Sequence, residues 1–378
     1  MNIKYDNKIK ERSIPISYQE LLDNTLKYLN FEDNREYREF GDRIHLYYYK
    51  KFYIKLQTIK QHYSIFNPDN DNIIIDKPIE EVYNLNRKLL ISEVSILLNN
   101  ANYEELTLDV LNETINRKSP YGVDVSVDFD DFEDIQLYVR GASIQTDEIR
   151  DPQTLYFRKK IIKEPIYRRI FLLIRPKDDI NHIYLKLFKD IPQIDLEMLF
   201  PNTKVRMTLF DKIKITLFGG GGTVGGGSTL FAKLTVATID PISALMAVGA
   251  FGAILWRQIK EVIFKKTHYM AKLAQNLYFH SLDNNEGALN YLIELAQEEE
   301  SKEALLVYLF LAKENKFLTA KKIDENIELY IKKVYNIDMD FEISDGMTKV
   351  LDLGVVIERD GKFGVLDIDE ALKILNIK

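Results

Sequence analysis

The chain has 378 residues, with 51 Lys and Arg against 58 Asp and Glu and a formal net charge of -7. That is length enough for two or three domains, and the acid excess argues against broad nucleic-acid binding. Cysteine is absent, which excludes disulfides, thiolate zinc sites and cysteine nucleophiles together.

Met1 to Ser13 is polar and charged, so no secretory signal is expected there. From Pro15 to Leu29 a helix is predicted, with Ser17 as cap and Glu20 three residues on, as in a capping box. Phe40 to Tyr63 reads as a long helix. Its aromatics Tyr47, Tyr48, Tyr49, Phe52 and Tyr53 are assigned to packing rather than base stacking. Asn67-Pro68-Asp69-Asn70-Asp71-Asn72 lacks the glycine and final glutamate of a calcium loop and reads as a solvated turn. Ile79 to Asn99 and Asn102 to Asn116 read as two further helices, closing a helical region over 1–118.

The period changes at Tyr121. Val123 to Phe129 alternates strictly, as a half-buried strand does. Asp130-Asp131 suggests a turn, and Ile135 to Gly141 a returning strand. Tyr156 to Lys163, Ile166 to Ile174 and His182 to Phe188 continue the pattern, with turns expected at Glu164-Pro165 and Pro176 to Asn181. An antiparallel meander over 119–205 follows. It holds the densest basic run of the chain: Arg158, Lys159, Lys160, Lys163, Arg168, Arg169 and Arg175. One reading is the polar face of a sheet. The functional reading, carried by Arg158, Lys159, Lys160, Arg168, Arg169 and, further on, Arg257, is a surface facing anionic lipid headgroups, worth about 1 kcal/mol per basic residue near the membrane.

Ile215 to Trp256 is a glycine-rich apolar run whose only charges are Lys233 and Asp240. Basic residues stand at both feet, Lys204, Arg206, Lys212 and Lys214 before it and Arg257, Lys260, Lys265 and Lys266 after. Two apolar limbs joined at Ile239-Asp240-Pro241 make the pattern of a membrane hairpin with both feet in the cytoplasm. The second limb, Pro241 to Trp256, would span about 24 Å at ~1.5 Å per residue. Gly219, Gly222, Gly225, Gly249, Gly252 and Ala253 offer small surfaces for close helix contact, and Trp256 stands where an interfacial aromatic is favoured. Self-association is expected. A buried soluble helix pair, a flexible glycine loop and strand structure are the other readings of this run. A phosphate loop is not, since no Lys-Ser or Lys-Thr follows the glycines.

After the hairpin segment, 206–266, a helix is expected from Glu261 to His280. Another runs from Ala288 to Leu311, interrupted by Glu298-Glu299-Glu300, so that 267–300 forms a connector. Helices at Lys302 to Ala312, Ala320 to Tyr335 and Ser344 to Leu353, a two-stranded wing over Val355 to Val365 and a closing helix Ile368 to Leu375 give a winged-helix-like module over 301–378. Twelve Lys and Arg stand there against fifteen Asp and Glu. A DNA reader should be basic, so this module is assigned to protein contact. The fold class is therefore α+β: helical region, antiparallel meander, glycine-rich hairpin, then a helical and winged-helix-like module.

Three stretches together resemble the transmembrane protein 143 family. They are Pro15-Ile16-Ser17-Tyr18 with Tyr63 to Asp69, Leu187 to Pro201 followed by the glycine-rich run, and Tyr269 to Leu282. The resemblance implies an integral or membrane-associated protein and carries over no catalytic residues. The motif residues Pro192, Asp195, Glu197 and Pro201 are the strongest polar candidates. Asp195 and Glu197 read as caps of a following helix, or as partners of Lys204, Arg206 or Arg257. The five histidines, His45, His62, His182, His268 and His280, lack HExxH spacing, so neither a metal nor any cofactor is assigned. No GxSxG elbow is present.

The function that follows is a membrane-associated, non-enzymatic protein. It would sit at the cell membrane with its bulk on the cytoplasmic side, in contact with membrane lipid, forming a homo-oligomer, and with a protein partner at the C-terminal module. An oligomeric pore, and a membrane-tethered enzyme acting on a lipid or nucleotide, are the alternatives.

Overall fold

A computed structural model describes residues 12–31, 33–70, 80–115, 124–150, 159–201, 204–206, 256, 267, 271, 274 and 277–377. The chain divides into two compact units, one of 1–107, 130–193 and 281–378, the other of 108–129 and 194–280. Among the described residues no helix is long and apolar enough to cross a membrane. The predicted hairpin lies outside the described residues except for Trp256, which is helical and 61% exposed.

The first unit is built on an antiparallel sheet and a set of helices. Helices α1 (Tyr18–Tyr28), α2 (Arg35–Tyr63) and α3 (Glu80–Asn100) precede the short strand β1 (Glu104–Glu105). In the second unit, α4 (Leu108–Ile115) is followed by β2 (Asp124–Ser126). Three long strands come next in the first unit: β3 (Phe132–Arg150), β4 (Lys159–Pro176) and β5 (Tyr184–Pro192). After β6 (Lys204–Arg206) of the second unit, β7 (Ser281–Asn284) leads into the 30-residue helix α5 (Asn285–Glu314). The rest is α6 (Ala320–Tyr335), α7 (Ile343–Leu353), the hairpin β8 (Val356–Arg359) with β9 (Lys362–Val365), and α8 (Ile368–Ile377).

The sheet order is β1-β3-β4-β5-β7, every neighbour antiparallel. The middle three strands form an antiparallel meander where alternation predicts five strands, while β1 and β7 arrive from distant sequence to close its edges. The strand at Asp124–Ser126 pairs with Lys204–Arg206, not with the meander. The turn expected at Glu164-Pro165 does not form: β4 runs straight through, with Pro165 opposite Ile144. The β4–β5 ladder begins only at Ile166 opposite Pro192, so at Pro165 the strand has one paired edge. Proline is tolerated where its missing N–H faces an unpaired edge.

One sheet face joins the core. Tyr138, Phe171 and Leu187 lie in one cross-strand row, and Leu173 with Leu185 in the next. All are buried together with Tyr48, Phe52 and Ile59 of α2 and Leu289, Leu292, Leu305 and Leu309 of α5. Each fully buried Leu or Phe is worth roughly 1.5–3 kcal/mol over exposure. On α2 the buried positions Phe40, Ile44, Tyr48, Phe52, Leu56, Ile59 and Tyr63 recur every three or four residues. Tyr49 and Tyr53, about 100° further round the helix, are instead more than half exposed and stack on one another at 6.4 Å.

Helix α5 departs most from its sequence pattern. The run at Glu298-Glu299-Glu300 does not interrupt it, and the boundary expected at 300 falls inside one continuous helix. Glu299, Glu300, Lys302 and Glu303 are all at most 6% exposed. They stay in the helix because each meets an opposite charge or a backbone N–H or carbonyl group brought in from elsewhere in the chain.

The Asn67–Asn70 turn is also more than solvated. Asp69 accepts a hydrogen bond from the Asn285 amide at 2.6 Å, and Asn285 Oδ1 accepts from Tyr63 Oη and the Leu185 N–H at 3.0 and 3.2 Å. The end of α2, strand β5 and the start of α5 are thereby tied at one buried asparagine.

In the second unit, Phe129 packs edge-on to Phe200 at 5.4 Å, and Leu196, Met198, Leu199 and Phe200 are buried.

Candidate functional site: a cation-lined pocket

In the first unit, the segment Ser13–Ser17, strands β3 and β4, and the middle of α5 enclose a solvent-open pocket of about 350 Å³. Its charged lining is Arg140, Arg168, Arg169 and Lys302 against Glu298 and Glu299, four cations to two carboxylates. Ile14, Ile16, Leu295 and Tyr291 supply apolar wall.

The floor is an ion-paired node on α5. The Glu299 carboxylate accepts from the Ile14 N–H at 2.9 Å, pairs with Arg140 at 3.1 Å and meets Lys302 at 3.2 Å. The Lys302 ammonium in turn donates to the Ile14 carbonyl at 2.9 Å. Glu298 accepts from the Tyr18 N–H at 2.8 Å, occupying the donor at the start of α1. Ser17 is the cap residue of that helix by position, but its side chain makes no capping bond. The predicted capping box is replaced because a full carboxylate, 280 residues away in sequence, accepts from the same end more strongly than a neutral hydroxyl.

The arginines come from the sheet. Arg140, Arg169 and Lys189 occupy one cross-strand row on β3, β4 and β5, next to the row that ends the apolar core. Like charges directly opposite one another repel, and Glu299 offsets that of Arg140. Among the described residues no carboxylate forms an ion pair with Arg169, whose guanidinium donates to the Arg168 carbonyl at 2.8 Å. Arg168 lies across Gly141, which has φ +68°, and a Cβ there would fall 2.6 Å from Nε. Glycine thus opens the space the guanidinium fills. Burial, then the adjacent Arg169 charge, lower the Arg168 pKa, and Asp190 opposes them. Beside this cluster the Tyr103 hydroxyl is buried with no hydrogen-bond partner among the described residues. Its pKa is raised by burial, against the pull of the Arg140 and Arg169 charges.

A second buried node lies further along α5. Lys349 of α7 pairs with Glu303, with Asp345 at 2.7 Å and with Glu300 at 3.3 Å. Burial pushes the Glu303 carboxyl up to about 7 against the pull of Lys349. Glu300 is raised for the same reason.

The sequence-selected basic residues separate. Arg168 and Arg169 line the pocket. Arg175 is spent on Asp134 at 2.7 Å and is buried. Lys159 and Lys160 stand opposite Arg150 and Ile149 on the ladder. Arg158 and Arg257 lie outside the described residues, as do Gly219, Gly222, Gly225, Gly249, Gly252 and Ala253. Of the family motif, Pro192 ends β5 opposite Ile166. Asp195 and Glu197 are buried in the 3-10 segment Gln193–Leu199. Pro201 follows as an exposed turn residue. The motif therefore crosses from one unit into the other. His45 stacks on Tyr18 at 4.4 Å, while His62 and His182 bond Asn86 and Asp179, each at 2.7 Å. Among the described residues no group of His, Asp and Glu is arranged to hold a metal ion.

Sequence reasoning missed Arg140, Glu298, Glu299 and Lys302. The available signal was a charge run inside an otherwise apolar helix, flanked by Leu289, Leu292, Leu305 and Leu306.

Sheet, central helix and pocket define an α+β protein whose main helix carries its charges inside. Over residues 132–287 the chain is similar to a family described as "Protein of unknown function (DUF3754)". That stretch contains all three pocket arginines but only the first turn of α5. No solved structure matches the chain.

Proposed function

We propose that this is a membrane-associated, non-enzymatic binding protein, held at the cell membrane through residues 215–256 with its bulk on the cytoplasmic side. The observation that carries the non-enzymatic part is the state of the pocket carboxylates. Glu298 and Glu299 are both engaged by backbone N–H groups and by Lys302, with Arg140 also on Glu299. A general base needs a lone pair directed at substrate, whereas this pocket offers substrate mainly donors. The membrane part rests on the uncharged limbs and basic feet of Ile215 to Trp256, and the small residues around Gly249 and Ala253 favour self-association there.

The C-terminal elements support a winged-helix reading used for protein contact. α6 and α7 are followed by the β8–β9 hairpin, and Leu318 makes an isolated antiparallel bridge to Phe363. The exposed positions of α7 include Ser344, Asp345, Thr348 and Asp352, and none of these is basic.

Replacing 215–256 by a short polar linker tests the anchor. The intact chain is expected in the membrane fraction and to float with phosphatidylcholine vesicles, and the linker variant to stay soluble. An intact chain that is soluble without detergent and does not float would remove the membrane reading.

A further inference from the structure

We propose that the outer face of α3 pairs in parallel with α3 of a second copy of this chain, through Val82, Leu85, Leu89 and Ile96. The contact does not depend on residues 215–256 lying in a bilayer, so either reading stands or fails without the other.

Helix α3 is apolar on two sides. Its inner side buries Leu90, Val94, Leu97 and Leu98 in the core. Its outer side carries Val82, Leu85, Leu89 and Ile96, which are 37–57% exposed. At 3.6 residues per turn these four fall within about 60° of the helix circumference. A helix that is apolar all round is normally buried all round, and a contiguous exposed stripe marks a contact site where scattered residues do not.

The spacing selects another helix as the occupant. Val82, Leu89 and Ile96 take the a positions of about two heptads, and Leu85, Ser92 and Asn99 the d positions, the seam of a coiled coil. So short a run carries no such signal in sequence, where the inner and outer apolar residues interleave. The structure separates them.

Charge selects a second copy of α3 and its direction. In the same frame Glu81 and Lys88 stand at g, and Asn86 and Glu93 at e. Glu81 and Lys88 are exposed, and among the described residues neither forms an ion pair. In a parallel pair each g position faces the e position of the next heptad on the other helix. Lys88 then meets Glu93 of the second copy, twice by symmetry, and Glu81 meets Asn86. Glu93 already contacts Lys55 at 3.6 Å, with about a third of its side chain exposed, so Lys88 adds a second cation to a shared carboxylate. The fully overlapped antiparallel pair sets Lys88 against Ser95 and Glu93 against Asn86, and matches no charges. Association also orders little new backbone. α3 is already fixed from inside, and by Asn86 on His62, Glu93 on Lys55 and Arg87 on Asp134, so no helix has to be nucleated at the contact.

The test uses the full chain in uncharged detergent. The sequence has no cysteine, so one introduced thiol reports one position. Leu85→Cys places a thiol in the seam facing its symmetry mate. Asn84→Cys, one residue back and about 100° round the helix, is the control. Under mild oxidation Leu85→Cys should form a disulfide-linked dimer at least ~10-fold faster than Asn84→Cys, because the bond needs Cβ atoms about 4 Å apart. Adding Leu89→Glu should weaken the pairing by about 100-fold or more, since an apolar side chain is lost on both helices. Adding Lys88→Glu should weaken it by about 3- to 30-fold, since two pairs change from attraction to repulsion. All these positions are exposed, and unchanged far-ultraviolet circular dichroism checks that each variant folds. Gly249→Leu with Gly252→Leu should leave the cross-link in place, which separates this contact from one at 215–256. Equal rates for the two thiols, or a preference that survives Leu89→Glu, overturn the proposal. With equal rates, a Leu85→Cys thiol closed to maleimide shows a segment of the same chain on this face. Loss of vesicle flotation by Leu89→Glu shows lipid there instead.

Discussion

Glu303→Gln should flatten the pH dependence of stability. Glu303 is 4% exposed, and its carboxyl is pushed from 4.5 to about 7 by burial, against the pull of Lys349. A carboxyl raised in the fold favours folding while it is protonated. Its contribution is therefore full below pH 4.5 and is lost as pH rises to about 7. The displacement corresponds to about 3 kcal/mol at 1.36 kcal/mol per pH unit. Burial lowers the Lys349 pKa, but its three carboxylates together raise it above its ordinary value, so it stays charged through this window and adds no slope. Gln mimics the protonated acid in size. The variant should thus exceed wild type by about 1 kcal/mol at pH 5 and about 3 kcal/mol above pH 8. Urea melts followed by far-ultraviolet circular dichroism, at steps between those pH values, measure the difference. Parallel pH profiles for the two proteins would refute the reasoning, since they would mean that Glu303 carries the same charge in folded and unfolded chains.

Glu299→Ala removes the acceptor of the Ile14 N–H and leaves Arg140 and Lys302 buried beside a void; a loss of about 3–5 kcal/mol in urea melts is expected. Glu298→Gln should cost about 1 kcal/mol by weakening the bond to the Tyr18 N–H, while Ser17→Ala, at the nominal cap, should change stability by less than about 0.5 kcal/mol. Gly249→Leu with Gly252→Leu should lower the oligomer mass in detergent by light scattering, and an unchanged mass would place the contact elsewhere. The full chain should give no gel shift with random duplex DNA at low salt; binding with a steep salt slope would contradict the assignment of the C-terminal module to protein contact.

Much of the backbone was legible because it follows local periodicity. Ala320–Tyr335 is helical over the range its pattern predicts. The two wing strands flank the Asp360-Gly361 turn, where both residues have positive φ. Alternation located parts of the three long strands but divided Lys159–Pro176 at Glu164-Pro165, and it did not give the pairing of Asp124–Ser126 with Lys204–Arg206. Half of the basic cluster was visible too, since Arg168 and Arg169 are adjacent in sequence.

What only the tertiary structure decided is where charge is neutralised. In sequence, Glu298-Glu299-Glu300 reads as a break in a helix, because a charge run is normally solvated. In the fold Glu299 and Glu300 are buried and Glu298 partly so, since Ile14, Tyr18, Arg140 and Lys349 reach them from 49 to 285 residues away. Periodicity reports which way a side chain faces along its own element, and so the chain alone determined the helices and strands. Desolvating a carboxylate requires a partner whose position depends on how those elements pack. Arg175, adjacent to the core but spent on Asp134, and Arg169, close by on the same strand but aimed into the pocket, look alike in sequence and were separated only by the register of β3 on β4.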